Sequence, residues 1–90
     1  MKSGKPLAAA VKKLRGLVNA LGPAIAYRKL QAVLNALEMQ VEDGAYNRHA
    51  VARLCEALLA TAELYQIPAE AAGDLEELAC KVVNMVQEER

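Results

Sequence analysis

Ninety residues make one small domain, and no run approaches the ~20 uninterrupted apolar residues that a membrane-spanning helix needs. Eighteen residues are alanine and there is no Phe or Trp, so the core is thin; modest stability, or an oligomer that adds burial, is expected. The formal charge of zero is unevenly split: residues 1–29 carry seven cations and no acid, residues 30–90 eleven acids and four cations, which points either to basic surface docked on acidic surface within the chain or to a site for an acidic partner.

Residues 1–6 read as a short polar lead or linker and residues 7–90 as a single helical domain. Lys12, Lys13 and Arg15 interrupt the first apolar patch before a signal-peptide core can form, so a soluble, cytoplasmic chain is expected. From about Leu7 to Leu21, the positions Leu7, Val11, Leu14, Leu17 or Val18, and Leu21 follow a 4-3-4-3 rhythm, a narrow seam along one helix. Lys12, Lys13, Arg15 and Asn19 take its other faces. Gly16 in the interior costs about 1 kcal/mol against alanine, which a close approach at that point would explain. Gly22-Pro23 ends the helix, because the glycine can take a left-handed cap and the proline can open the next helix.

The stretch Ala24–Glu42 organises the rest. Ile25, Leu30, Val33, Leu34, Leu37 and Val41 share one face at 3.6 residues per turn, and the other segments need such a face to pack on. The turn DGAYN implies an antiparallel neighbour, with Asn47 as N-cap of a third helix from Arg48 to about Gln66. Val51, Leu54, Cys55, Leu58, Ala62 and Tyr65 form its stripe, and Ile67-Pro68 stops it. A fourth helix begins either at Pro68, tolerating Gly73, or after a short turn at Asp74. The second start is preferred, because Asp74 and Glu77 resemble a capping box. Leu75, Leu78, Ala79, Val82 and Val86 are the stripe in both cases. No strand signal occurs, and an all-α, up-down antiparallel four-helix bundle is the economical architecture.

The chemistry-bearing residues do not assemble into a catalytic or metal-binding motif. His49 is the single histidine and lies off the core stripe with Arg53, Glu56 and Glu63, where a solvated imidazole is expected. The carboxylates lack the inward Glu-x-x-His pairs of di-metal bundles, and no glycine-rich phosphate loop occurs. Cys55 and Cys80 read as two reduced, mostly buried thiols. No catalytic residue, metal site or cofactor is assigned, and the chain reads as non-enzymatic.

The basic surface is the best candidate site. Lys12, Lys13, Arg15 and Gly16 on the first helix, with Arg28 and Lys29 after the turn, are assigned to partner binding. Nucleic acid ranks below a protein partner here, since Tyr27 is the one aromatic near these cations and the chain as a whole is neutral.

The run Ala10-Val11-Lys12-Lys13-Leu14-Arg15-Gly16, followed by Leu21-Gly22, resembles the His-x-Leu-Lys-Gly and Leu-Gly pattern of histidine-containing phosphotransfer (HPt) domains, over residues 8–66. That resemblance implies a four-helix bundle that docks response regulators. Lys12 stands where the phospho-accepting histidine belongs, and a protonated amine is a poor phosphoryl carrier. The helix that precedes the motif in that family is missing unless the last helix takes its place. Leu14, Arg15 and Gly16 would then mark a docking surface without relay chemistry.

The sequence therefore leads to a non-enzymatic helical interaction module, an adaptor or regulatory domain of bacterial signalling style. It would bind an acidic or helical protein partner through the basic face of the first helix, with no membrane contact and a homodimer left open. The alternatives are a phosphotransfer protein using His49 and a nucleic-acid-binding helical domain.

Overall fold

Four amphipathic stripes on one short chain can be buried together only by closing the helices around a common axis, and the computed structural model does this. It describes residues 4–42 and 46–88, so the lead at 1–3 and the turn residues Asp43, Gly44 and Ala45 lie outside the described residues. Helix α1 spans Gly4–Leu21, α2 Arg28–Glu42, α3 Arg48–Leu64 and α4 Ala69–Glu88, with a short 3-10 helix at Ala24–Tyr27 ahead of α2. Each helix packs on its chain neighbours and α4 closes back on α1, giving a square bundle. Neighbours run antiparallel: Arg15 reaches Glu38 while Asn19 reaches Gln31, and Leu59 shares a groove with Glu76 while Gln66 shares it with Ala72. The up-down topology read from the sequence is the one observed.

The core is a single cluster. Leu14, Leu34, Leu58 and Val82, one from each helix, are fully buried in it together with Leu7, Val18, Leu30, Leu37, Val51 and Val86. Val18 rather than Leu17 takes the central position on α1; Leu17 packs at the edge. Alanines at 10, 62 and 79 are also buried, so helix axes approach closely where large side chains are few. No buried side-chain nitrogen or oxygen among the described residues is left without a partner.

Three boundaries differ from the sequence expectation. First, α1 opens at Gly4, three residues early, because Pro6 falls in the first turn, where its missing N–H is no loss. Second, the segment at Ala24–Tyr27 is 3-10 rather than α-helical, which changes its angular phase. Ile25, expected on the buried face, is therefore 74% exposed. Third, α4 begins at Ala69 and not at Asp74. The Ala72 amide donates to the Pro68 carbonyl at 2.9 Å, Glu70 complements the positive end of the helix, and the alanine-rich turn outweighs Gly73.

The connections use local chemistry. Gly22, at φ +158°, leaves α1 beneath the Tyr27 ring, where a Cβ would come within 3.1 Å of ring carbon Cε2. The Asn47 Oδ1 accepts from the Ala50 amide at 3.1 Å, the N-cap expected for α3. At the other end of α3 the amides of Tyr65 and Gln66 donate to the carbonyls of Ala62 and Glu63, and Gln66 turns left-handed at φ +55° before Ile67-Pro68.

Candidate functional site

Each of the six residues assigned to partner binding inherits its direction from its helix. On α1, Leu14 and Val18 point to the core, so Arg15 falls on the side toward α2, Lys13 on the side toward α4, and Lys12 and Gly16 near the outer crest. The structure thus divides them rather than gathering them into one patch.

Arg15 is committed within the fold. Its Nε and Nη2 donate to the two carboxylate oxygens of Glu38 at 3.1 and 2.8 Å, a bidentate ion pair. Nη1 donates to Gln31 Oε1 and Nη2 also to Asn35 Oδ1. Gln31 in turn donates through Nε2 to Asn19 Oδ1 at 2.9 Å, which completes a polar seam along the α1–α2 contact. Residues 31, 35 and 38 stand at i, i+4 and i+7, one stripe of α2, so a single guanidinium can reach all three. The Arg15 hydrogen bond lowers the Glu38 pKa against a smaller desolvation effect, and the charges of Arg15 and Lys12 add to the lowering. The same bond raises the Arg15 pKa. Part of the charge asymmetry in the sequence is therefore spent on internal docking, and Arg15 is a positioning residue of the bundle rather than a free docking cation.

The other five remain on the surface. Lys12, Lys13, Arg28 and Lys29 are exposed, and among the described residues none of them is in an ion pair. Gly16 is exposed and a Cβ built on it meets nothing within 4 Å, so it is not held by any internal close approach. Lys13 borders a shallow groove between α1 and α4 with Leu78, Lys81 and Met85. Arg28 borders a hollow of about 540 Å³ between α1 and α2. Lys29 gives its backbone N–H to Tyr65 Oη at 3.1 Å, so its ammonium group projects from a tethered first turn. Leu14, implied as part of a docking surface by the HPt resemblance, is fully buried and belongs to the core.

No protein-family model, curated protein or solved structure matches this chain. The surface itself is thus the whole basis for a functional reading.

Outside the basic strip the chemistry is sparse. His49 is exposed in the first turn of α3, on a face with Arg53 and Glu56. Among the described residues no three of His, Cys, Asp and Glu stand close enough to hold a metal ion, and no helix is long and apolar enough to cross a membrane. Cys55 is buried, and burial, with smaller contributions from Cys80 and Glu56, pushes its thiol up to about 11. Cys80 is exposed, which corrects the expectation that both thiols are inside.

Two features were not singled out from the sequence. Glu38, Asn35 and Gln31 act as one receptor for Arg15, and their i, i+4, i+7 spacing was the available signal. The Tyr27 and Tyr65 rings pack with centroids 5.1 Å apart, tying the α1–α2 connection to the end of α3; residues 38 apart in the chain offer no local signal for that.

Proposed function

We propose that the chain is a non-enzymatic helical interaction module that receives an acidic segment of a protein partner along the outer crest of α1. The observation that carries this reading is the open crest at Gly16, with Lys12 beside it and Lys13 on its α4 side. Two cations without ion-pair partners among the described residues flank a position with no side chain, on a helix whose opposite face is already fully used in the core. An exposed lysine gains little from a distant acid of its own chain, yet a carboxylate that docks beside it gains a short-range, steering attraction. The glycine lets a partner backbone come closer than any other residue would allow. Arg28 adds a separate exposed cation at the opening of α2. The role proposed is docking without phosphoryl relay, since the protonated amine of Lys12 suits a cationic contact and is a poor phosphoryl carrier.

The test is binding of an acidic amphipathic helical peptide, followed by anisotropy at low and moderate salt. Reversing Lys12 and Lys13 to Glu together should weaken binding at least tenfold, the equivalent of about 1.4 kcal/mol, and raised salt should do the same in the native chain. Arg15 is left intact in this variant, because its loss would disturb the bundle as well as the surface. Unchanged affinity in the Lys12/Lys13 variant would remove the assignment.

A further inference from the structure

We infer that copies of this chain associate side to side, the α1–α2 flank of one molecule seating on the α3–α4 flank of the next. In a square bundle these two helix pairs form opposite flanks. On the first flank Ile25 projects from the 3-10 segment, 74% exposed, at the edge of the α1–α2 hollow, with Arg28 beside it. On the opposite flank a groove of about 390 Å³ lies between the end of α3 and the start of α4. Leu59, Ala62, Ile67 and Leu75 supply its apolar lining, and the exposed carboxylates of Glu63 and Glu76 stand at its border. One flank offers an apolar knob beside a cation; the other offers an apolar groove edged by anions.

The occupant is a second copy because both halves of the match are carried by this one chain. Its seven N-terminal cations and its acid-rich remainder cancel to zero net charge, so copies do not repel one another while their opposed flanks attract. Knob and groove lie at the same end of the bundle, since Tyr27, two residues after Ile25, packs on Tyr65, one residue before Gln66 of the groove. Neighbouring copies can therefore stack in register.

Geometry also sets the symmetry. Because knob and groove lie on opposite flanks, one partner cannot satisfy both. Each bound copy still presents a free knob and a free groove, so the contact is heterologous and propagates into rows or a ring instead of closing as a two-fold dimer. A small contact of this kind belongs to the weak, transient class. The inference shares Arg28 with the surface proposed above but needs no outside partner.

Sedimentation equilibrium from about 10 µM to 1 mM in low salt tests it, over the range where weak contacts populate. The expected result is a mass that rises past the dimer with concentration and falls back when salt is raised. Ile25→Asp disables the knob and Glu63→Lys with Glu76→Lys disables the groove. Both changes are at exposed positions, and circular dichroism checks that each variant is folded. Each variant alone should be monomeric, with self-affinity at least tenfold weaker, while an equal mixture of the two should form a one-to-one pair that stops there. A native chain that stays monomeric throughout, one that stops at a dimer, or self-association untouched by Ile25→Asp would overturn the inference. Acidic-peptide binding measured on the Ile25→Asp monomer separates the two readings, because that variant keeps Lys12, Lys13 and Gly16.

Discussion

Tyr65 caps a helix to which it does not belong. Its ring lies 5.1 Å from that of Tyr27 at a tilt of 49°, and its hydroxyl accepts the Lys29 backbone N–H at 3.1 Å. That amide is in the first turn of α2, where no carbonyl of the helix itself can receive it. Tyr65→Phe keeps the ring pair and deletes the acceptor, so it should cost about 0.5–1 kcal/mol, the low end for a hydrogen bond at a solvated site. A lowered urea midpoint with an unchanged slope, together with faster hydrogen exchange at the Lys29 amide, is the expected result. Tyr65→Ala should cost more, because the aromatic contact goes as well.

The Arg15–Glu38 pair makes a prediction with a sign in pH. Glu38 titrates below its ordinary value of 4.5 in the folded chain, so the pair contributes stability above that value and loses it as pH falls through the lower folded one. Glu38 is more than a third exposed, and solvent screening holds the coupling to roughly 0.5–1 kcal/mol. A double-mutant cycle with Arg15→Met and Glu38→Gln at pH 7 should return that coupling, and at pH 3 a much smaller one. Equal coupling at both pH values would show that hydrogen bonding to Glu38, not its charge, carries the pair.

The architecture was legible because it rests on local periodicity. Leu14, Leu34, Leu58 and Val82 each sit centrally in a stripe readable without knowledge of the other three, and burial drives all four into one interior. What could not be read was set by competition or by distance. Asp74 and Glu77 offered a plausible helix start, but the alanine-rich turn at 69–72 already had helix propensity and an acceptor at Pro68, so a lone internal glycine did not break it. Ile25 obeyed an α-helical count that its 3-10 backbone does not keep. For the candidate surface, the one-sided charge of residues 1–29 was visible at once. That Arg15 is drawn off by α2 is a fact of packing, decided by residues 16 to 23 positions away.

Gly73 and Gly16 should respond alike in stability and differently in function. Both are exposed, helical and open, with nothing within 4 Å of an added Cβ. Each alanine substitution should therefore raise stability by about 0.5–1 kcal/mol, read as an upward shift in thermal midpoint. Only Gly16→Ala places a methyl group in the proposed docking strip, so it alone should weaken acidic-peptide binding. If both variants bind as the native chain does, no partner backbone passes close to Gly16.

Gln66 is the one residue other than glycine with positive φ among the described residues, at +55° in the turn that joins α3 to Pro68. An L-residue pays roughly 1 kcal/mol to sit there, and glycine avoids that cost while losing some unfolded-state restraint. Gln66→Gly should therefore be neutral to stabilising, by at most about 1 kcal/mol, where glycine substitutions in helices destabilise.

The two thiols should be told apart by a single reagent. Cys80 is exposed, whereas Cys55 sits in the core with its pKa pushed up to about 11, so at pH 8 it is both inaccessible and overwhelmingly protonated. Treating the folded chain with iodoacetamide should add one carbamidomethyl group, on Cys80, and a second should appear only in denaturant. The rate of that second addition then reports opening between α3 and α4, where Cys55 is buried. It should follow the global unfolding equilibrium, because a fully buried position in a one-core bundle has no smaller unit to open with. Labelling of Cys55 much faster than global unfolding permits would mean that α4 detaches on its own, and with it the groove between Leu59 and Leu75.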